Sequence, residues 1–166
     1  MTEKEKILRE IERLYDEYGE NMYYFLLSLL RNKADAEETL QNVFLKVTGM
    51  EQGIFNLKDA KNYLFKMARN EALNLMRSKK IKMTEDLNNI LLEPSEESAG
   101  REDAAVLEKA LFSLPAEQRE VIVLKVYKDF TFEETAKALN ISVNTAGSRY
   151  RYALLKLKSI IKPEEN

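Results

Sequence analysis

Residues 131–158, TFEETAKALNISVNTAGSRYRYALLKLK, constrain the chain more than any other stretch. They read as a short helix, a tight turn and a longer basic helix. Thr131 and Glu134 have capping-box spacing, which predicts a helix starting near Phe132. Ala136 and Leu139 give that helix a small apolar face. Asn140 stands where a left-handed residue would end it, a conformation that Asn tolerates better than most non-glycine residues. Ile141 would tuck inward, and Ser142 can cap the next helix through its side-chain oxygen. At about 100° per residue, Ala146, Tyr150, Ala153, Leu154, Leu157 and Ile161 share one side of the second helix. Thr145, Ser148, Tyr152 and Leu155 fall roughly opposite, flanked by Arg149, Arg151, Lys156 and Lys158. No acidic residue occurs between Ser142 and Lys162. A helix over 142–158 with a buried seam, small polar residues at its start and basic flanks suits a DNA major groove. The candidate duplex contacts are Ser142, Asn144, Thr145, Ser148, Arg149, Arg151, Tyr152 and Lys156. An ordinary helical hairpin with a solvated basic face would look the same, so this segment alone leaves both readings open.

Composition narrows the classes. The 166 residues suffice for one domain or two small ones, and only five Gly and three Pro favour long helices. The formal net charge of −2 argues against a general nucleic-acid coat protein, although the charge is unevenly spread. There is no Cys and no His, which removes disulfides, thiolate metal sites and the commonest general base. No cofactor or metal is expected, and an enzyme is not expected either. The N-terminus lacks the apolar core of a signal peptide, and Met22–Leu30 is too short to span a bilayer. A soluble cytoplasmic protein without membrane insertion follows.

Residues from about 5 to 18 carry Ile7, Leu8, Ile11, Leu14, Tyr15 and Tyr18 at helical spacing, and Gly19 is expected to break the helix. A second helix, Asn21 to about Arg31, is apolar over most of its surface, as befits the centre of a bundle. After a turn at 32–34, Asp35 is expected to cap a third helix, with Glu38 at capping-box spacing. That helix should bury Leu40, Val43, Phe44 and Val47 and show Glu38, Gln41, Asn42 and Lys46 outward. Residues 49–56, GMEQGIFN, read as a loop whose apolar Met50, Ile54 and Phe55 either tuck under the bundle or form a small pocket.

From Lys58 to about Lys80 runs a second long amphipathic helix. Ala60, Leu64, Met67, Ala68 and Leu75 form its core face. Asn62, Lys66, Arg69, Arg77 and Lys80 line the opposite side with Leu73; Asn70 and Asn74 lie beside them, and Tyr63 and Phe65 on the borders. Cations with aromatic and amide neighbours suit single-stranded nucleic acid. As a plain fold feature, Phe65 and Tyr63 would be core-edge aromatics. Between Met83 and Asp103 periodicity fades and acidic residues dominate, which reads as a flexible acidic linker. Beyond it, Ala104–Phe112 should turn Val106, Leu107, Ala110 and Leu111 inward. A helix from Pro115 to Tyr127 should bury Val121, Ile122, Leu124 and either Val126 or Tyr127. The fold class is therefore all-α: two small helical domains, an N-terminal bundle over 5–82 and a four-helix domain with a helix-turn-helix over 104–162, joined by the linker 83–103.

The motifs DAEETLQNVFLKV at 35–47, NYLFKMARNEALNLMR at 62–77, LPAEQREVIVLK at 114–125 and FTFEETAKALNISVNTAGSRYRYALLKL at 130–157 occur in one order. The chain resembles bacterial RNA polymerase sigma factors of the extracytoplasmic-function (ECF) type of the sigma-70 family, over about residues 10–160. The resemblance implies a transcription initiation factor that binds core RNA polymerase, directs it to promoters and helps open the minus-10 region. Glu38, Gln41, Asn42 and Lys46 would dock on the clamp coiled coil of the beta-prime subunit. Asn62, Tyr63, Lys66, Arg69, Asn70, Asn74, Arg77 and Lys80 would hold unpaired minus-10 bases. The helix 142–158 would read the minus-35 duplex, and the first helices of its domain would meet the beta flap. The resemblance also admits an anti-sigma partner. Family members commonly have Trp near Tyr63, Asp near Asn74, Gly at the place of Asn140 and Val-Lys at the place of Ala146-Gly147. The alternative is a conventional helix-turn-helix regulator, which would bind duplex DNA without polymerase. A protein-only adaptor would instead tolerate loss of Arg149 and Arg151.

Overall fold

A computed structural model describes residues 1–82 and 102–161. Nearly all of the expected linker, 83–101, lies outside the described residues, as does Lys162; Glu102 and Asp103 already belong to a helix. The chain divides into two compact units, one formed by the helices before Lys82 together with Lys137–Asn140, and one by the other described residues after Glu102. Among the described residues there is no strand.

In the first unit, α1 runs from Glu3 to Leu30, 28 residues without interruption. Thr2 opens it with a capping box: its hydroxyl accepts from the Glu5 N–H at 3.2 Å, and the Glu5 carboxylate accepts from the Thr2 N–H at 3.1 Å. The break expected at Gly19 does not occur. Gly19 is buried in helical conformation, and the Tyr15 ring lies 3.4 Å from where a Cβ would stand. The glycine lies against a ring and does not turn the chain. Arg31 ends α1 in the left-handed region (φ 56°), its N–H donating to the Leu27 carbonyl at 2.9 Å. Helix α2, Lys33–Gly49, is capped by Asn32 and not by Asp35. The Asn32 side chain accepts from the Asp35 N–H at 2.9 Å, while the Asp35 carboxylate pairs with Lys79 of α3. Residues 51–56, expected as a loop, form a 3-10 helix that buries Ile54 and leaves Phe55 exposed.

Helix α3, Ala60–Lys82, completes a three-helix bundle in which each helix packs on the other two. Met22, Phe25, Leu26 and Leu29 of α1 meet Val43, Phe44 and Val47 of α2 and Leu64, Phe65 and Ala68 of α3 in the core. The rings of Phe25 and Phe65 lie 5.6 Å apart. The ion pairs Lys46–Glu71 and Lys79–Asp35 fasten α2 to α3 at the rim.

The second unit holds α4 (Glu102–Ser113), α5 (Ala116–Ile122), most of α6 (Phe132–Leu139) and α7 (Val143–Ile161). A π-helical turn, Val123–Tyr127, extends α5. Ala110, Leu114, Ile122, Ala153 and Leu157 form the core, with Leu111, Tyr150 and Leu154 packed against it. Val106, expected inward, is 52% exposed; of Val126 and Tyr127, either of which was the inward candidate, Val126 is 54% exposed and the Tyr127 side chain lies outside the described residues. The wider π turn keeps the run Val121–Leu124 buried and carries Val126 out of helical register. Ile161, assigned to the seam of α7, is exposed at the last residue of that helix. Arg119 is buried and ties the α4–α5 turn: its guanidinium donates to the Leu114 carbonyl at 3.2 Å and the Phe112 carbonyl at 3.5 Å, and lies 5.4 Å from the Phe112 ring centroid.

Candidate nucleic-acid interfaces

The helix-turn-helix is built by local chemistry at three residues. The Thr131 hydroxyl accepts from the Glu134 N–H and the Glu134 carboxylate from the Thr131 N–H, both at 3.0 Å. Asn140 adopts φ 56°, and the Ile141 N–H returns to the Ala136 carbonyl at 3.0 Å, closing α6. The Ser142 hydroxyl accepts from the Thr145 N–H at 3.0 Å and donates to the Thr145 hydroxyl at 2.8 Å. The edge-to-face pair Phe132–Tyr150, 5.3 Å between centroids, sets α6 against α7, and the Lys125 ammonium lies 4.2 Å from the Phe132 ring centroid.

On α7 the seam is as spaced: Ala146, Ala153 and Leu157 are buried, Tyr150 and Leu154 half-buried. Ser142, Asn144, Arg151, Tyr152 and Lys156 are exposed, and Thr145, Ser148 and Arg149 half-buried. Arg149 reaches Glu117 of α5 at 3.7 Å, and the Arg151 guanidinium donates to the Ser148 hydroxyl at 3.4 Å. Two residues absent from the sequence-derived set share this surface: Val143, 47% exposed, and Gly147, whose missing Cβ would meet nothing within 4 Å. A glycine inside an exposed helix costs about 1 kcal/mol relative to alanine.

The outward arc of α3 is rotated from the one read off the sequence. Tyr63, Lys66, Asn70, Asn74, Arg77 and Lys80 are exposed, whereas Arg69 and Leu73 are half-buried. The amides and Tyr63 thus occupy the middle of the face and not its border. Asn62, placed on the stripe by spacing, is buried instead. The Asp59 carboxylate accepts from the Asn62 N–H at 3.2 Å and from its side-chain amide at 2.6 Å, so Asn62 braces the first turn of α3. Phe65, also set at a border, belongs to the core. Near this end, burial and the adjacent Glu17 push the Tyr18 hydroxyl above its ordinary pKa, with Asp59 adding to the shift.

On α2, Glu38, Gln41, Asn42 and Lys46 all lie on the exposed face. Leu45, which the sequence reading assigns to neither face, sits among them, 68% exposed. An open groove of about 560 Å³ flanks this face between α1 and α2, with Tyr15, Tyr23, Tyr24, Asp16, Glu20 and Glu37 on its walls. Among the described residues, no helix is long and apolar enough to cross a membrane.

Two family models match the chain, sigma-70 region 2 over residues 14–81 and sigma-70 region 4 over residues 104–157. The ECF RNA polymerase sigma factor SigX of Bacillus subtilis is 28% identical over 164 residues, covering 91% of this chain and 84% of SigX. The RNA polymerase sigma-E factor of Streptomyces antibioticus is 30% identical over 139 residues, covering 82% of this chain and 76% of the relative. The chain belongs to the sigma-70 family, as an ECF sigma factor. Region 2 of this sigma factor takes in most of α1 together with α2 and α3, and region 4 takes in α4 to α7. The solved sigma factor RpoE of Bartonella quintana, in complex with the anti-sigma factor NepR, shares the fold with a TM-score of 0.71 at 24% identity, over 98% of both chains. CnrH in complex with the cytosolic domain of CnrY gives a TM-score of 0.69 at 20% identity, over 95% of this chain and 91% of CnrH. Membership makes the protein a promoter-directing initiation factor for RNA polymerase and sets aside the stand-alone regulator.

Proposed function

We propose that this sigma factor divides promoter recognition between α3 and α7, holding unpaired bases with the first and duplex with the second. The supporting observation is the different make of two exposed basic faces, each on its own unit. On α3, Tyr63, Asn70 and Asn74 offer flat, hydrogen-bonding surfaces to minus-10 bases, while Lys66, Arg69, Arg77 and Lys80 follow the strand backbone. Asn62 acts through Asp59, keeping the start of α3 in place. On α7, Ser142, Asn144, Thr145, Ser148 and Tyr152 face minus-35 base edges and sugars, and Arg149, Arg151 and Lys156 hold phosphates.

Glu38, Gln41, Asn42 and Lys46 dock on the beta-prime clamp coiled coil around Leu45, whose exposed side chain supplies the apolar centre that stable interfaces need. Helices α4 and α5 meet the beta flap. The working units are 5–82 and 104–162, the second extended at its start by Glu102 and Asp103 of α4, and the chain between them lets both elements be bound at once. The protein acts in the cytoplasm, where its polymerase is, and carries out no catalysis itself. An anti-sigma factor masks it; the support is that the structurally similar RpoE was solved with one.

The test is transcription by core RNA polymerase from a pool of random promoters, with and without the protein. Start sites enriched behind two short motifs at a fixed spacing are expected. With Asn70→Ala only the downstream motif should relax, and with Arg149→Ala only the upstream one should weaken. Relaxation of both motifs by either variant would overturn the division of labour.

A further inference from the structure

Gly147 lies in the second turn of α7, and nothing in the described fold calls for glycine there. No described glycine has a positive φ, so the position is open to any helical residue. A Cβ at 147 would meet no atom within 4 Å. Gly19, by contrast, faces the Tyr15 ring; Gly53 sits in the 3-10 turn, with its N–H on the Met50 carbonyl; and Gly49 is the last residue of α2. Glycine inside a helix lowers its stability relative to alanine. Packing within the unit gives no reason for the glycine, which directs attention to what α7 binds.

The surroundings show what that is. One turn before Gly147 stand Val143 and Asn144, and one turn after it Arg151 and Tyr152, all exposed. Between them Gly147 has no side chain and Ser148 a short one, drawn toward Arg151 by their hydrogen bond at 3.4 Å. The surface of α7 is therefore notched for one turn, with bare backbone as floor, an apolar rim at Val143 and a cationic rim at Arg151. A helix in a major groove comes closest to the base edges where its side chains are shortest. We propose that Gly147 is a specificity-determining residue: the notch lets the α7 backbone close on one base pair of the upstream promoter element, with Val143 packed on a thymine methyl there. This rests on α7 being the duplex-reading helix. Thymine follows from the chemistry, because its methyl group is the apolar feature of the major groove.

The test uses the full chain with core polymerase on an upstream-randomised promoter pool, comparing wild type, Gly147→Ala and Arg151→Ala, alongside thermal melting of each protein. Gly147→Ala is expected to melt higher than wild type and yet lose roughly tenfold in initiation at the preferred upstream motif, with the preference for thymine relaxed at one position. Arg151→Ala should weaken initiation evenly across motifs. Higher melting with unchanged activity and motif would overturn the proposal. So would lower melting, since Gly147 would then have a role inside the fold. If neither variant changes initiation or the upstream preference, α7 does not read the duplex, and the notch falls together with that assignment.

Discussion

Helices α3 and α7 use the same ingredients, a buried seam and a basic outer face, in opposite arrangements. On α3 the centre of the face is broad and flat, with Tyr63, Asn70 and Asn74 between cations. On α7 the centre of the first two turns is small, with Ser148 and Gly147 between exposed rims. A flat amide-and-aromatic centre can stack against a base that has left its helix, and unpaired bases offer whole faces for that. A narrow, small-residue centre can slide between the walls of a groove, where stacked bases show only their edges. Counting cations does not separate the two; the size of the side chains between them does.

The comparison breaks most visibly at α3. Replacing Tyr63 and Asn70 together with Ala is expected to lower open-complex formation about a hundredfold, since each lost base contact is worth about 1–3 kcal/mol. Permanganate reactivity of unpaired thymines on a linear promoter measures this. Binding to the upstream element should be unaffected. If duplex binding falls as much as opening does, α3 is not a single-strand face.

A second test asks whether the two units hold themselves together separately. Arg119→Ala removes charge-assisted hydrogen bonds to the Leu114 and Phe112 carbonyls from a buried place in the second unit. A loss of about 2–3 kcal/mol is expected. Hydrogen exchange should show it in α4, α5 and α7, with amides of α1 to α3 unchanged. Equal loss of protection in both halves would mean that they unfold as one.

The parts legible in the sequence were those decided within a few residues. Thr131, Asn140 and Ser142 each act on backbone one turn away, so their capping roles could be read directly. The parts that were not legible depend on a partner distant in sequence. Asn32 and Asp35 are both good caps, and the Lys79 ammonium, 44 residues from Asp35, engages the second. Gly19 continues its helix with the Tyr15 ring 3.4 Å from where a Cβ would stand, an arrangement that spacing cannot show. The stripe on α3 was found, but its centre was placed wrongly. A helical wheel gives the angle between residues and does not say which arc α1 and α2 will cover, so Asn62 was set in solvent and Tyr63 at an edge. Leu45 falls outside both faces read from the sequence, and only the packing of α2 shows it exposed.

A smaller effect sharpens the assignment of α7. Arg151→Ala is expected to weaken binding of holoenzyme to an upstream duplex about tenfold and to reduce the salt dependence by about one counterion. The same substitution at Lys66 on α3 should leave upstream duplex binding unaltered. An unchanged salt slope in the Arg151 variant would mean that its guanidinium serves Ser148 and not a phosphate.

The smallest expected effect concerns Glu117. Its carboxylate lies 3.7 Å from the Arg149 guanidinium, with Glu117 itself 71% exposed. An exposed pair of this kind adds only a few tenths of a kcal/mol to stability, so Glu117→Gln should hardly shift the melting curve. It should act on binding, because Glu117 competes with phosphate for Arg149 and adds a negative charge near the duplex. Upstream duplex affinity is expected to rise about two- to threefold at low salt. The gain should fade as salt is raised, since exposed charges are screened beyond about 8 Å at physiological ionic strength. Affinity measured across a salt series decides between this and the other use of such a pair. If Glu117→Gln weakens binding at every salt concentration, the carboxylate orients Arg149 for its phosphate and does not hold it back. The α7 face would then be pre-set by α5 as firmly as Asn62 is by Asp59 on α3.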